Sequence, residues 1–98
     1  MASIELAAQV LLDFDRFFDH LAEFDVQDAP ERIQSIIDAL DVLARSPYIG
    51  RRTNGGNREL VIGSGSRGYV ALYRYAAALD TVFALAIRSQ RENDYRVR

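Results

Sequence analysis

The side chains best equipped for chemistry are arginines and tyrosines crowded into the second half of the chain: Arg58, Arg67, Tyr69, Tyr73, Arg74, Tyr75, Arg88, Arg91 and Tyr95. A guanidinium is a planar fork of donors that fits phosphates, carboxylates and aromatic faces. Interleaved with tyrosines on a sheet, such forks pair with phosphates while the rings stack on bases. The same residues also serve as anchors of protein interfaces. Tyr69 and Tyr73 bracket a central strand and read as ordinary core or edge residues. All twelve basic residues are arginine, with no lysine, and they are segregated. Residues 1–44 set ten acids against Arg16 and Arg32, a balance of −8. Residues 45–98 set ten arginines against Glu59, Asp80, Glu92 and Asp94, a balance of +6. That asymmetry points to an acidic or polyanionic partner for the second half. The competing source is GC-rich coding bias plus pairing of acidic helices with a basic sheet inside the molecule.

Other reaction types lack their parts. Without cysteine there is no disulfide, thiolate zinc site or cysteine nucleophile. His20, the one histidine, falls beside Asp19 and Glu23 on the polar side of a helix and reads as a surface residue. Ser64, Ser66 and Ser89 have no histidine nearby to activate them. The run GSGSRG follows a strand but leads into another strand, so no helix N-terminus receives a phosphate there. Asp13, Asp15 and Asp19 lie near one helix face and read as solvated rather than metal-binding. No metal or cofactor is expected. No apolar run approaches the ~18 to 20 residues of a spanning helix, and the first residues lack the basic and apolar regions of a secretory signal. A cytoplasmic protein without a membrane partner is the expectation. With 98 residues, 49% of them hydrophobic and 27% charged, the chain suits one soluble domain over residues 1–98.

The elements that must position the arginines are legible from periodicity. Ser3 to Leu6 alternates and makes a short strand. From Ala7 to Phe24, Val10, Leu11, Phe14, Phe17, Phe18 and Leu21 recur at helical spacing. Asp28-Ala29-Pro30-Glu31 starts a second helix, with Asp28 as cap and Pro30 in the first turn, and Ile33, Ile36, Ile37, Leu40 and Leu43 form its stripe. Ser46-Pro47 ends it. Tyr48 to Asn57 is a loop. Strands follow at Arg58–Ile62, Tyr69–Tyr75 and Thr81–Arg88, joined by short turns as an antiparallel meander. The expected fold is α+β: an N-terminal strand and a two-helix hairpin packed on a small antiparallel sheet. In the last strand Thr81, Phe83, Leu85 and Ile87 are the bulky set expected against the helices, in one core with Phe14, Phe17, Leu21, Ile33, Ile37 and Leu40. Val82, Ala84, Ala86 and Arg88 are expected on a shallow outer face. The stretch from Ser89 onward, with Arg91, Tyr95, Arg96 and Arg98, lies beyond the last strand.

The order of these parts resembles the RelE/ParE superfamily of type II toxin–antitoxin toxins. The elements that carry the resemblance are Pro47-Tyr48-Ile49-Gly50-Arg51, Arg58-Glu59-Leu60, Ser66-Arg67-Gly68-Tyr69, Tyr73-Arg74-Tyr75 and Ile87-Arg88-Ser89-Gln90-Arg91-Glu92, preceded by the helical hairpin. The resemblance thus covers nearly the whole chain. It departs at Ser89, where ParE-like members often have histidine. The superfamily divides by target. RelE-like members cut mRNA on the ribosome with basic residues at positions that here hold Arg58, Leu60, Val70, Arg91 and Tyr95. Attack by a 2′-hydroxyl needs a base and a cationic stabiliser; Leu60 and Val70 supply neither, and arginine is a poor base. The resemblance therefore implies a ParE-like toxin that inhibits DNA gyrase by binding, without its own bond-breaking chemistry, and that an acidic antitoxin neutralises. Arg58, Arg67, Arg74, Tyr75, Arg88, Arg91, Tyr95 and Arg96 are the expected contacts to target or antitoxin. The alternative is a ribosome-dependent mRNA endonuclease using Arg58, Arg91 and Tyr95.

Overall fold

In the computed structural model, which describes residues 1–23, 29–63 and 67–96, two helices lie on one face of a five-stranded sheet. The Asp28 cap, Ser64 and Ser66 of the turn, and Arg98 lie outside the described residues. The elements are β1 (Ser3–Leu6), α1 (Ala8–Glu23), α2 (Ala29–Val42), β2 (Arg51–Arg52), β3 (Arg58–Ile62), β4 (Tyr69–Ala76) and β5 (Thr81–Ser89). Strand order is β1-β5-β4-β3-β2. The meander β2 to β5 is antiparallel, but β1 pairs with β5 in parallel, from Ser3↔Thr81 to Leu6↔Ala84. The sheet is therefore mixed: the meander is antiparallel as expected, and the N-terminal strand joins its last strand in parallel. A parallel pair needs a long crossover, and the helical hairpin between β1 and the meander provides it. Within the expected loop, Arg51 and Arg52 extend to pair with Glu59 and Arg58.

The helices bury the stripe their spacing predicts. Val10, Phe17 and Leu21 of α1 are buried, as are Ile36 and Leu40 of α2 and Leu43 just beyond it. They meet Tyr69, Ala71 and Tyr73 of β4 and Val82, Ala84 and Ile87 of β5. Phe17 packs on Tyr69 with ring centroids 4.8 Å apart.

The expected assignment of β5 faces fails at one residue. Tyr73 pairs with Ala84 and Leu72 with Ala86, so Leu85 is an extra residue opposite one step of β4, a β-bulge. A bulge shifts the period-2 alternation by one. Val82 and Ala84 face the helices before it, and Ile87 faces them after it. Phe83 pairs with Arg74 on the opposite face, so Phe83 and Leu85 are not part of the helix-facing core, whereas Ile87 is.

Tyr73 is completely buried, and its hydroxyl donates to Pro47 O at 2.8 Å and accepts from Gly50 N at 2.9 Å. Burial raises its pKa, against the lowering effect of the Gly50 N–H and the Arg58 charge. A Cβ at Gly50 would stand 2.6 Å from the Tyr73 ring. This close approach is why a glycine closes the Pro47–Gly50 turn.

Asp13, expected on a solvated face, is completely buried. The pairing of β1 with β5 ends at Ala84, so farther along β5 has a bare outer edge. There the Asp13 carboxylate accepts the Ile87 N–H at 2.8 Å, and Arg16 Nη2 donates to Ile87 O at 3.4 Å. Two side chains of α1 stand in for the missing strand. Asp13 also accepts from Arg16 Nη1 at 2.6 Å and Gln9 Nε2 at 2.9 Å. Asp15 and Asp19 remain exposed.

Candidate interaction face

Period-2 alternation sorts the arginines of the meander onto two sides of the sheet. Arg58 pairs with Tyr73 and therefore points to the helix side. Its Nη1 donates to Gly50 O at 2.8 Å and Tyr48 O at 3.1 Å, and its guanidinium lies 5.1 Å from the Tyr48 ring centre. Tyr48 in turn meets Tyr75 edge-on, with centroids 5.2 Å apart. The Tyr75 hydroxyl donates to Asp80 at 2.7 Å, and that bond, with partial desolvation, raises its pKa. Arg58 and Tyr75 thus belong to one cluster at the helix-side rim.

The other face carries Arg51, Glu59, Arg74 and Arg88 over the apolar residues Val70, Leu72, Phe83 and Ala86. The chain beyond β5 returns across this face. Gln90 N donates to Gly68 O at 2.9 Å, and a Cβ at Gly68 would run into the Gln90 amide. Glu92 then accepts from Ser89 N and Arg16 Nη2, both at 3.0 Å, and from Arg96 Nε at 3.3 Å. Burial opposes the Glu92 charge, but the Ser89 N–H and Arg16 outweigh it and hold its pKa below the ordinary 4.5. Burial also works against the charge of Arg16, yet its bonds to Asp13 and Glu92 raise its pKa. Tyr95 lies over the sheet. Its hydroxyl donates to Glu59 Oε2 at 2.5 Å, and Arg88 stacks 5.3 Å from its ring centre. Burial, then the Glu59 carboxylate, push the phenol pKa far up. Glu59 also accepts from Arg51 Nε at 3.2 Å, and Arg88 Nη1 donates to Glu92 O at 3.0 Å.

The expected site residues are therefore not one constellation. Arg88, Tyr95 and Arg96 are gathered with the returning segment, Arg58 and Tyr75 sit at the helix-side rim, and Arg67, Arg74 and Arg91 are exposed, with no side-chain ion pair among the described residues. Arg58 and Tyr95, two of the three residues an endonuclease would use, lie on opposite sides of the sheet. Arg74 reaches over the Asn54–Gly56 turn, where a Cβ at Gly56 would stand 3.4 Å from its Nη2. Glu59, Arg51 and the Asp13–Arg16–Glu92 chain were missed by reasoning from residue type. The alternation of β3 was the available signal for Glu59, since it puts this acid opposite Arg58. Among the described residues, no group of three or more His, Cys, Asp or Glu could hold a metal ion, and no helix is long and apolar enough to cross a membrane.

A helical hairpin crossing over to a mixed sheet, with the other sheet face left to the chain's own C-terminal segment, defines a two-layer α+β domain. The fold agrees with the toxin–antitoxin structures of the chromosomal ParDE system of P. aeruginosa, at a TM-score of 0.74 and 20% identity over 91% of this chain and 96% of that one. It agrees also with the RelBE2 toxin–antitoxin complex of Mycobacterium tuberculosis, at 0.65 and 18% over 91% and 98%. Residues 4–94 match the family of ParE toxins of the type II toxin–antitoxin system parDE, and the chain belongs to that family. No curated protein matches it.

Proposed function

We propose that the chain is a single toxin domain that acts in the cytoplasm by binding DNA gyrase, cleaves no nucleic acid itself, and is neutralised by a cognate acidic antitoxin. Membership of the ParE family supports the gyrase target. The observation that carries the non-catalytic reading is the separation of Arg58 from Tyr95 across the sheet. An endonuclease must bring base and cationic stabiliser within reach of one phosphodiester. Here Arg58 is held by the carbonyls of Tyr48 and Gly50, and the Tyr95 phenol is held by Glu59. Leu60 faces the helices and Val70 is buried, so neither position offers a charge. The exposed Arg67, Arg74 and Arg91 are cations open to acidic side chains of an antitoxin. The test is the purified chain in two assays. Gyrase supercoiling should fall with increasing protein, and ribosomes translating a reporter mRNA should yield uncut transcript. Cleaved transcript with unimpaired gyrase would replace this reading with the endonuclease.

A further inference from the structure

The sheet face opposite the helices has the ingredients of a single-strand nucleic-acid platform. Arg51, Arg74 and Arg88 project from β2, β4 and β5 on this face, over an apolar floor with an aromatic ring, Tyr95, lying on it. Backbone phosphates pair with such arginines and bases stack on such rings. The helix layer, rich in acids, lies on the other side, so the electrostatic field also favours approach of a polyanion to this face. One residue stands against all of this. Glu59 sits among the arginines with its side chain only 15% exposed, neutralises Arg51 at 3.2 Å, and fixes the Tyr95 hydroxyl. Tyr95, so fixed, has one ring face covered by Arg88, whose Nη1 is engaged by Glu92 O and more distantly by Ser89 O.

We propose that Glu59 is a specificity-determining residue that withholds this arginine face from nucleic acid. Its carboxylate removes Arg51 from the phosphate-binding set and places a fixed negative charge where a phosphodiester would lie. Through the Tyr95 hydroxyl it also keeps the C-terminal segment closed over the floor. The charge, and not the hydrogen bond alone, is the operative feature. Glu59→Gln keeps an acceptor for Tyr95 and a similar volume, yet removes the repulsion and frees Arg51. Tyr95→Phe loosens the segment but leaves the carboxylate in place.

The experiment is fluorescence anisotropy of a labelled twenty-nucleotide oligo-dT and oligo-rU with full-length protein at about 0.1 M salt, where exposed charges more than about 10 Å apart are screened. Wild type and Tyr95→Phe should bind weakly and alike. Glu59→Gln should bind at least tenfold more tightly, with a salt slope steeper by about 0.7 for each additional phosphate neutralised. Adding Arg51→Ala to Glu59→Gln should abolish the gain. Glu59→Arg, a second variant in case the first melts early, should bind more tightly still. Wild type binding as tightly as a folded Glu59→Gln overturns the proposal, as does a folded variant of either kind with no gain. The gyrase assay reads out separately. A wild type that fails to inhibit gyrase, together with the oligonucleotide gain in Glu59→Gln, would refute the functional reading and leave this one standing.

Discussion

Replacing Asp13 by alanine tests whether two side chains of α1 substitute for a strand along β5. Asp13 is completely buried and accepts three hydrogen bonds, from Gln9, Arg16 and Ile87 N. Its removal leaves the Ile87 N–H without a partner and strips Arg16 of its shorter ion pair, at 2.6 Å, so that only Glu92 at 3.0 Å remains. Removing one member of a buried pair costs about 3 to 5 kcal/mol, and an orphaned backbone donor accounts for about 1 to 3 of that. Unfolding entropy near 2.1 cal/mol/K per residue gives roughly 0.2 kcal/mol/K for a chain of this length, so the melting temperature should fall by about 15 to 25 °C. Asp13→Leu combined with Arg16→Met removes both charges and should recover much of the loss. It should not recover all of it, because the Ile87 N–H stays unpaired in either variant. Thermal and urea unfolding of Asp13→Leu, Arg16→Met and the double variant form the cycle that isolates the pair. A melting temperature for Asp13→Ala within about 3 °C of wild type would refute the edge-substitute argument, since that is under ~1 kcal/mol.

Phe17→Ala should cost about 3 to 5 kcal/mol, because Phe17 is buried against Tyr69; Phe83→Ala should cost less than half as much, since the bulge turns Phe83 away from the helices, and equal losses in urea melts would contradict that placement. Glu92 is held below its ordinary pKa of 4.5, so its contribution is present above that value and is lost as the pH falls through its lower folded value. The gap in melting temperature between wild type and Glu92→Gln should accordingly close on acidification, and a gap that widens would reverse the sign of the argument. Tyr95, raised by burial and Glu59, contributes stability that is present below the ordinary phenol value of 10.0 and is lost as the pH rises through its folded value; in an ultraviolet titration it should ionise well above the ordinary phenol value, and Tyr95→Phe should delete that step. Arg74→Glu should weaken antitoxin binding by about tenfold, of the order expected when like charges are juxtaposed at an interface, with an unchanged melting temperature. Arg58→Ala should instead lower the melting temperature, because its partners are the chain's own carbonyls.

The local pattern carries far in this chain. Helical spacing from Val10 to Leu21 and from Ile33 to Leu43, the three long strands, and the motifs around Gly50 and Gly68 are properties of neighbouring residues, and they are legible without knowledge of any tertiary contact. So is the family, which rests on the order of short motifs. The twelve arginines are legible only as a composition. Whether each one faces a partner or another part of the same molecule depends on register and on what the chain does tens of residues away. One extra residue at Leu85 exchanges the two faces of β5, and no period-2 count along a single strand reveals where its neighbour inserts nothing. Asp13 looks solvated beside Asp15 and Asp19, because the bare N–H that claims it lies 74 residues on, at Ile87. Arg16, Arg51, Arg58, Arg88 and Arg96 all find acceptors or rings within the fold, through pairs such as Tyr95 and Glu59 that lie 36 residues apart. Periodicity is set by backbone geometry and is written locally. Satisfaction of a buried charge or an open sheet edge requires a partner, and only the folded topology determines which distant residue arrives to supply it.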